Sequence, residues 1–185
     1  RCNVSRVPLR ESLRIVASRG LLVQEPHRGA VVAALSESEL HDLFGLRMAL
    51  EGFAASAVAE KQPRPALSTM RQMNADMERS IETGDFDTYF AVATRFHDAI
   101  VAAAGNELLS EAYNRVKIRF RRYQTILSNI PHLPPRSVAE HKQILAAMEQ
   151  GDAGQARTLV ERHIRDLVDA YRQSDIGPDF FTKAS

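Results

Sequence analysis

The stretch SESELHDLFGLRMALEGFAASAVAEKQPRP, residues 36–65, decides how the chain is read. Ser36 with Glu39 three residues later forms a capping box. Behind it Leu40, Leu43, Leu46, Leu50, Phe53 and Ala57 repeat at helical spacing until Pro63 and Pro65 end the run. The spacing predicts one long amphipathic helix. One residue breaks its apolar stripe: Arg47 stands between Leu43 and Leu50, with Glu51 one turn away. A buried guanidinium wants an anion, and two readings stay open, an internal ion pair to Glu51 or a fork that receives a carboxylate ligand.

Downstream the same periodicity recurs over residues 67–82, 85–104, 107–127, 138–149 and 153–171. Gly84-Asp85, Gly105-Asn106, the Pro131–Pro135 loop and Gly151-Asp152 separate these segments. Six helices joined mostly by short connections predict an antiparallel bundle of six to seven helices. Three histidines fall on inward stripes: His97 with Phe86, Phe90, Ala93 and Ile100, His141 with Val138, Leu145 and Met148, and His163 with Ala156, Val160, Leu167 and Tyr171. A single such histidine is usually a satisfied core residue. Three from three helices can converge in a bundle core and suit a divalent transition metal, Zn, Ni or Mn. Arg119, between Val116 and Tyr123, repeats the pattern of Arg47 and is a second candidate for the anionic end of an effector.

Upstream the pattern changes. Residues 7–19 predict a helix, with Pro8 in an early position and Gly20 as the stop. Residues 21–23 and 30–32 predict two short strands around a turn containing Pro26 and Gly29. Within residues 1–30 six arginines face only Glu11 and Glu25, a balance of +4, against −3 for the remainder of the chain. A basic head on a mildly acidic body points to a polyanion partner. Hydrophobic residues at 44% and charged residues at 25% fit a globular chain with a real core, and exclude disordered and collagen-like classes. No apolar run reaches the ~18 residues of a membrane span, and the single Cys2 forms no internal disulfide, so a cytoplasmic chain is expected. No phosphate-binding glycine loop, nucleophile elbow or H-E-x-x-H signature occurs.

The run VSRVPLRESLRIVASRGLLVQEPHRGAVV, residues 4–32, resembles the recognition helix and wing of GntR-type winged helix-turn-helix regulators. FHDAIVAAAGNELL at 96–109, EHKQILAAMEQGD at 140–152 and ERHI at 161–164 resemble the all-helical, FCD-type sensing domain of the FadR branch of that superfamily. The resemblance implies a mostly α fold: a partial winged helix over 1–34, a helical effector, metal and dimerisation domain over 35–175, and a tail over 176–185. It assigns Ser5, Arg6 and Arg10 to DNA at the start of the recognition helix, and His27, Arg28 and Gly29 to the wing tip. It further implies a homodimer on double-stranded operator DNA, and a small carboxylate effector at a metal held by His97, His141 and His163. The family's acidic ligand, one turn before the first histidine, falls on Ala93, so a water or the effector fills that position, or the cavity binds effector without metal. The helices that precede the recognition helix in the family are expected upstream of Arg1, and operator binding is expected to need them. The alternative from another class is a small helical-bundle enzyme using a three-histidine metal to activate water, with Glu140 as its base.

Overall fold

The computed structural model describes residues 5–18, 20–25, 28–33, 36–127, 130 and 133–174. The chain opens with α1 (Arg6–Ser18) and the antiparallel pair β1 (Leu22–Glu25) and β2 (Gly29–Val32), whose register sets Leu22 opposite Val32 and Glu25 opposite Gly29. Six helices follow: α2 (Glu37–Lys61), α3 (Arg64–Glu82), α4 (Phe86–Ala103), α5 (Glu107–Leu127), α6 (Leu133–Gln150) and α7 (Ala153–Gln173). This is the mostly helical architecture that the spacing predicts, with a helix and hairpin ahead of a bundle. The tail from 176 onward lies outside the described residues.

Side chains cap three of these helices, Ser36 as its capping box implies, and Asp85 and Asp152 at breaks that the sequence marks. The Ser36 hydroxyl accepts from the Glu39 amide at 3.0 Å, Asp85 from Thr88 at 3.0 Å, and Asp152 from Gln155 at 2.9 Å. α6 starts earlier than expected: Pro134 and Pro135 lie inside its first turn instead of in a loop, because a first-turn residue needs no amide hydrogen.

α2 is the centre of the bundle and packs against α4, α5, α6 and α7. With neighbours on several sides it does not bury the single stripe expected of it. Leu40, Leu43, Phe44, Ala54, Ala55 and Val58 are buried, whereas Leu46 and Phe53 are about half exposed, at 48% and 50%. α7 comes close at Gly52, where a Cβ would lie 3.0 Å from Glu161 Oε1 and 3.1 Å from its Cγ. The core continues through Met70, Met77, Phe96, Ile100, Ile144, Met148 and Ile164, all fully buried. Burial of this kind is worth roughly 1.5–3 kcal/mol per large side chain and is what holds the helices in register. Among the described residues no helix is long and apolar enough to cross a membrane.

Candidate functional site

The three histidines arrive from three helices. His97 on α4, His141 on α6 and His163 on α7 are 6%, 1% and 1% exposed, and one nitrogen from each lies within 4.8 Å of the others. His97 Nε2 and His141 Nε2 are 3.2 Å apart, and the rings of His97 and His163 stack at 5.2 Å between centroids. The inward stripes are therefore real, although Phe86, expected on the same stripe as His97, is 45% exposed at the start of α4.

Carboxylates stand behind two of the rings. Glu51 Oε2 lies 2.7 Å from His97 Nδ1, an ion-pair distance that is not lined up as a hydrogen bond. Glu140 Oε2 lies 2.7 Å from His163 Nδ1, while its other oxygen accepts from Arg136 Nε at 2.9 Å. The Glu140 acceptor favours the His163 tautomer that carries its proton on Nδ1 and leaves the Nε2 lone pair free. Sequence spacing did not reveal either carboxylate in this role. Glu140 was visible only as a possible base, and its partner is 23 positions away on another helix.

Burial, followed by the neighbouring imidazoles of His163 and His97, holds His141 well below the usual histidine range. Burial and His97 likewise push His163 down, against the opposing pull of Glu140. Both shifts favour the neutral imidazole, the form that ligates metal.

Arg47 turns out to be both paired and incomplete. It is 2% exposed, and its Nε donates to Glu51 Oε1 at 2.6 Å, the internal ion pair that their spacing allowed. Burial alone would weaken the guanidinium's hold on its proton, but the carboxylate outweighs it. The same pairing, with help from His97, overcomes burial and brings Glu51 down to about 2. Arg47 Cζ also sits 3.9 Å from the centre of the Phe120 ring. Its Nη1 is buried with no hydrogen-bond partner among the described residues.

These groups surround a cavity of about 40 Å³, lined by Arg47, the three histidines, Ala93 and Phe120 among others. The donor set fits a metal. Two nitrogens held at ~2.0–2.1 Å by a tetrahedral ion stand ~3.3 Å apart, close to the 3.2 Å between His97 and His141. Without an ion, one of these two rings can donate an N–H to the other, so the same spacing also serves a ring-to-ring hydrogen bond. Ala93 lines the cavity and brings no donor, so the protein would offer an ion three ligands and leave further positions open.

Arg119 does not line this cavity. The inward stripe of α5 runs through Leu109, Tyr113, Val116, Phe120 and Tyr123, and puts Phe120 where a guanidinium was expected. Arg119 itself is half-buried in a groove with Ser18, Leu43 and Leu46, between α1 and the bundle.

At the head, Ser5 and Arg10 are exposed, and Arg10 shares a groove with Glu11, Arg14, Gln24 and Gly29 between α1 and the hairpin. Arg6 opens α1. Arg28 is exposed and pairs with Glu25 at 3.1 Å. Gly29 has φ +79°, with open space where a Cβ would be. His27 lies outside the described residues.

Comparison with known proteins agrees with this picture. The FCD domain family matches residues 42–166. A probable D-xylose utilization operon transcriptional repressor of Paenarthrobacter nicotinovorans is 32% identical over 182 residues, which span 98% of this chain and 79% of that protein. The HTH-type transcriptional repressor RspR of Escherichia coli is 24% identical over 177 residues, 94% of this chain and 76% of the relative. The solved structure of E. coli McbR/YncC superposes with a TM-score of 0.81 at 20% identity, covering 94% of this chain and 88% of the other. The relatives are regulators, which removes the helical-bundle enzyme as a reading. From its helix-and-wing head to its all-helical body, the chain belongs to the GntR family of DNA-binding transcriptional regulators, in the branch that carries an FCD domain.

Proposed function

We propose that the bundle, residues 35–175, senses a small carboxylate at a divalent transition metal held by His97, His141 and His163, and that occupancy sets how a homodimer grips operator DNA. The convergence of three buried imidazole nitrogens within 4.8 Å, two of them backed by carboxylates, carries this reading. Bound there, the metal would offer open positions to carboxylate oxygens. The chain's own residues do the rest. Glu140 orients the His163 ring, Glu51 sets a charge beside His97, and Ala93 leaves room beside them. Arg47, whose Nη1 has no partner among the described residues, receives the anionic end of the ligand. Ser5, Arg6 and Arg10 on the recognition helix and His27, Arg28 and Gly29 on the wing, within a head spanning residues 1–34, contact the duplex, where arginine serves both phosphate and guanine. Such a regulator works in the cytoplasm, beside its operator.

Elemental mass spectrometry of the purified chain before and after chelation tests the metal, with the His97→Ala, His141→Ala double variant as control. About one Zn, Ni or Mn per chain that disappears in the variant is the expected result. Equal, negligible metal in both samples would refute the metal. A second reading would then stand on the orphaned Arg47 Nη1, a metal-free anion pocket in which Arg47→Met abolishes effector binding.

A further inference from the structure

Three residues on one stretch of α5 touch three different parts of the molecule. Phe120 lines the histidine cavity, with the Arg47 guanidinium carbon 3.9 Å from its ring centre and the Phe44 ring edge-on at 5.0 Å. Tyr123, one turn on, is fully buried, and its hydroxyl lies 3.2 Å from the Ser36 carbonyl oxygen and 3.4 Å from Glu39 Oε2, where the chain enters α2. Arg119, next to Phe120, reaches the other way, to the turn that joins α1 to the hairpin.

That turn is built around Gly20. Its φ of +74° is left-handed, and its amide donates to the Ala17 carbonyl at 2.8 Å, closing the end of α1. Leu21 then carries the chain into β1, and its carbonyl accepts from the Ala33 amide at 3.0 Å as the chain leaves β2. Both ends of the hairpin are therefore tied to the residue after Gly20. A Cβ on Gly20 would fall 2.5 Å from Arg119 Nε and 2.7 Å from its Cζ, so the guanidinium occupies the space that a side chain at position 20 would need. Glycine is required twice here, by backbone angle and by the arginine against it.

We propose that Arg119 is a positioning residue that latches the α1–hairpin turn onto the bundle, and that α5, through Phe120, makes the seating of that latch depend on what the cavity holds. This rests on the reading of the cavity as the sensing site. The physical route is short. A ligand anion drawn to Arg47 competes for the guanidinium that Phe120 stacks against. A packed interior cannot absorb that shift by loosening in place. Phe120 and Arg119 share a helix backbone, so displacement of one ring moves the other side chain against Gly20. The head then changes its seat as a unit, because the hairpin and the end of α1 meet at that turn.

Hydrogen exchange of the intact chain tests both halves without metal or effector, through segments 16–25 and 29–33 and, as internal control, α6 and α7. Arg119→Ala should speed exchange in the head segments about tenfold and leave α6 and α7 at wild-type rates. Phe120→Leu, which keeps Arg119 but removes the ring, should speed the same head segments to a smaller degree. Phe120→Met replaces it should the leucine variant fail to fold. Head rates in Arg119→Ala within twofold of wild type would overturn the latch. Faster head exchange in Arg119→Ala with unchanged rates in the Phe120 variants would overturn the link to the cavity. The metal measurement described above can fail while these results hold, and the reverse, so the two readings fall separately. Arg119→Ala should also keep wild-type metal content, since Arg119 does not line the cavity.

Discussion

Replacing Glu51 with glutamine keeps the shape of the side chain and deletes its charge. The site makes that charge matter. Glu51 is 0% exposed, and its two oxygens stand 2.6 Å from Arg47 Nε and 2.7 Å from His97 Nδ1. In Glu51→Gln the Arg47 guanidinium, itself 2% exposed, is left buried without its ion-pair partner. Its stacking on Phe120 survives, but that contact exists already and offsets nothing new. Breaking a buried pair from one side costs ~3–5 kcal/mol. For a chain of this size each kcal/mol lowers Tm by roughly 2–4 °C, so the expected loss is about 6–20 °C. Thermal unfolding followed by circular dichroism reads it directly. The double variant Arg47→Met, Glu51→Gln removes both charges at similar volume and should recover most of the loss, giving a coupling of at least ~2 kcal/mol in the double-mutant cycle. A Glu51→Gln protein within ~0.5 kcal/mol of wild type, the range of an ordinary surface substitution, would refute the argument. So would simple additivity of the two single variants.

Other perturbations follow from the same geometry. Glu140→Gln loosens the group behind His163 and should weaken metal binding ~10–100-fold in a chelator competition. Its effect on Tm should be small, because the Arg136 partner it also loses is more than half exposed, at 55%. Ala93→Asp adds a donor one turn before His97 and should tighten metal binding in that same competition. For acid stability, Glu51 is held at about 2 against an ordinary 4.5, so its contribution is fully present above pH 4.5 and is lost as pH falls from there towards 2. Urea midpoints across that window should fall more steeply in wild type than in Glu51→Gln. At Gly52, alanine gains helix propensity of ~1 kcal/mol while pressing on Glu161 and should change stability little. Leucine there should separate α2 from α7 at a cost of ~1–3 kcal/mol by calorimetry.

What could be read from the sequence was what periodicity and local chemistry encode. Helix boundaries were legible where a serine cap or a glycine break acts within a few residues, as at Ser36, Gly84 and Gly151. The inward histidines were legible because a helical stripe carries them. The misreadings share one cause, which is that tertiary neighbours decide. Leu46 and Phe53 sit on an apolar spacing yet face outward, because α2 is surrounded and buries Arg47 and Glu51 instead. Arg119 and Phe120 differ by one position, a 100° turn on the helix, and only the packing of α5 against α2 says which enters the cavity. The carboxylate partners were invisible for a related reason. Glu51 and His97 belong to different helices, as do Glu140 and His163, and no local rule joins them.

The size of the cavity sets a kinetic condition on anything that enters it. At about 40 Å³ it has room for some three water molecules, too little for a hydroxy acid of several carbons. Phe90, Leu133 and Leu167 form part of its wall, alongside the histidines. Admission therefore requires the wall to part before the ligand can dock. In stopped-flow mixing, the observed association rate should climb with ligand concentration and then level off at the opening rate of the wall. Trimming Leu133 to alanine should raise that plateau, so that on the proposed reading of the cavity the wall, and not the ligand, sets how quickly a guest is taken up.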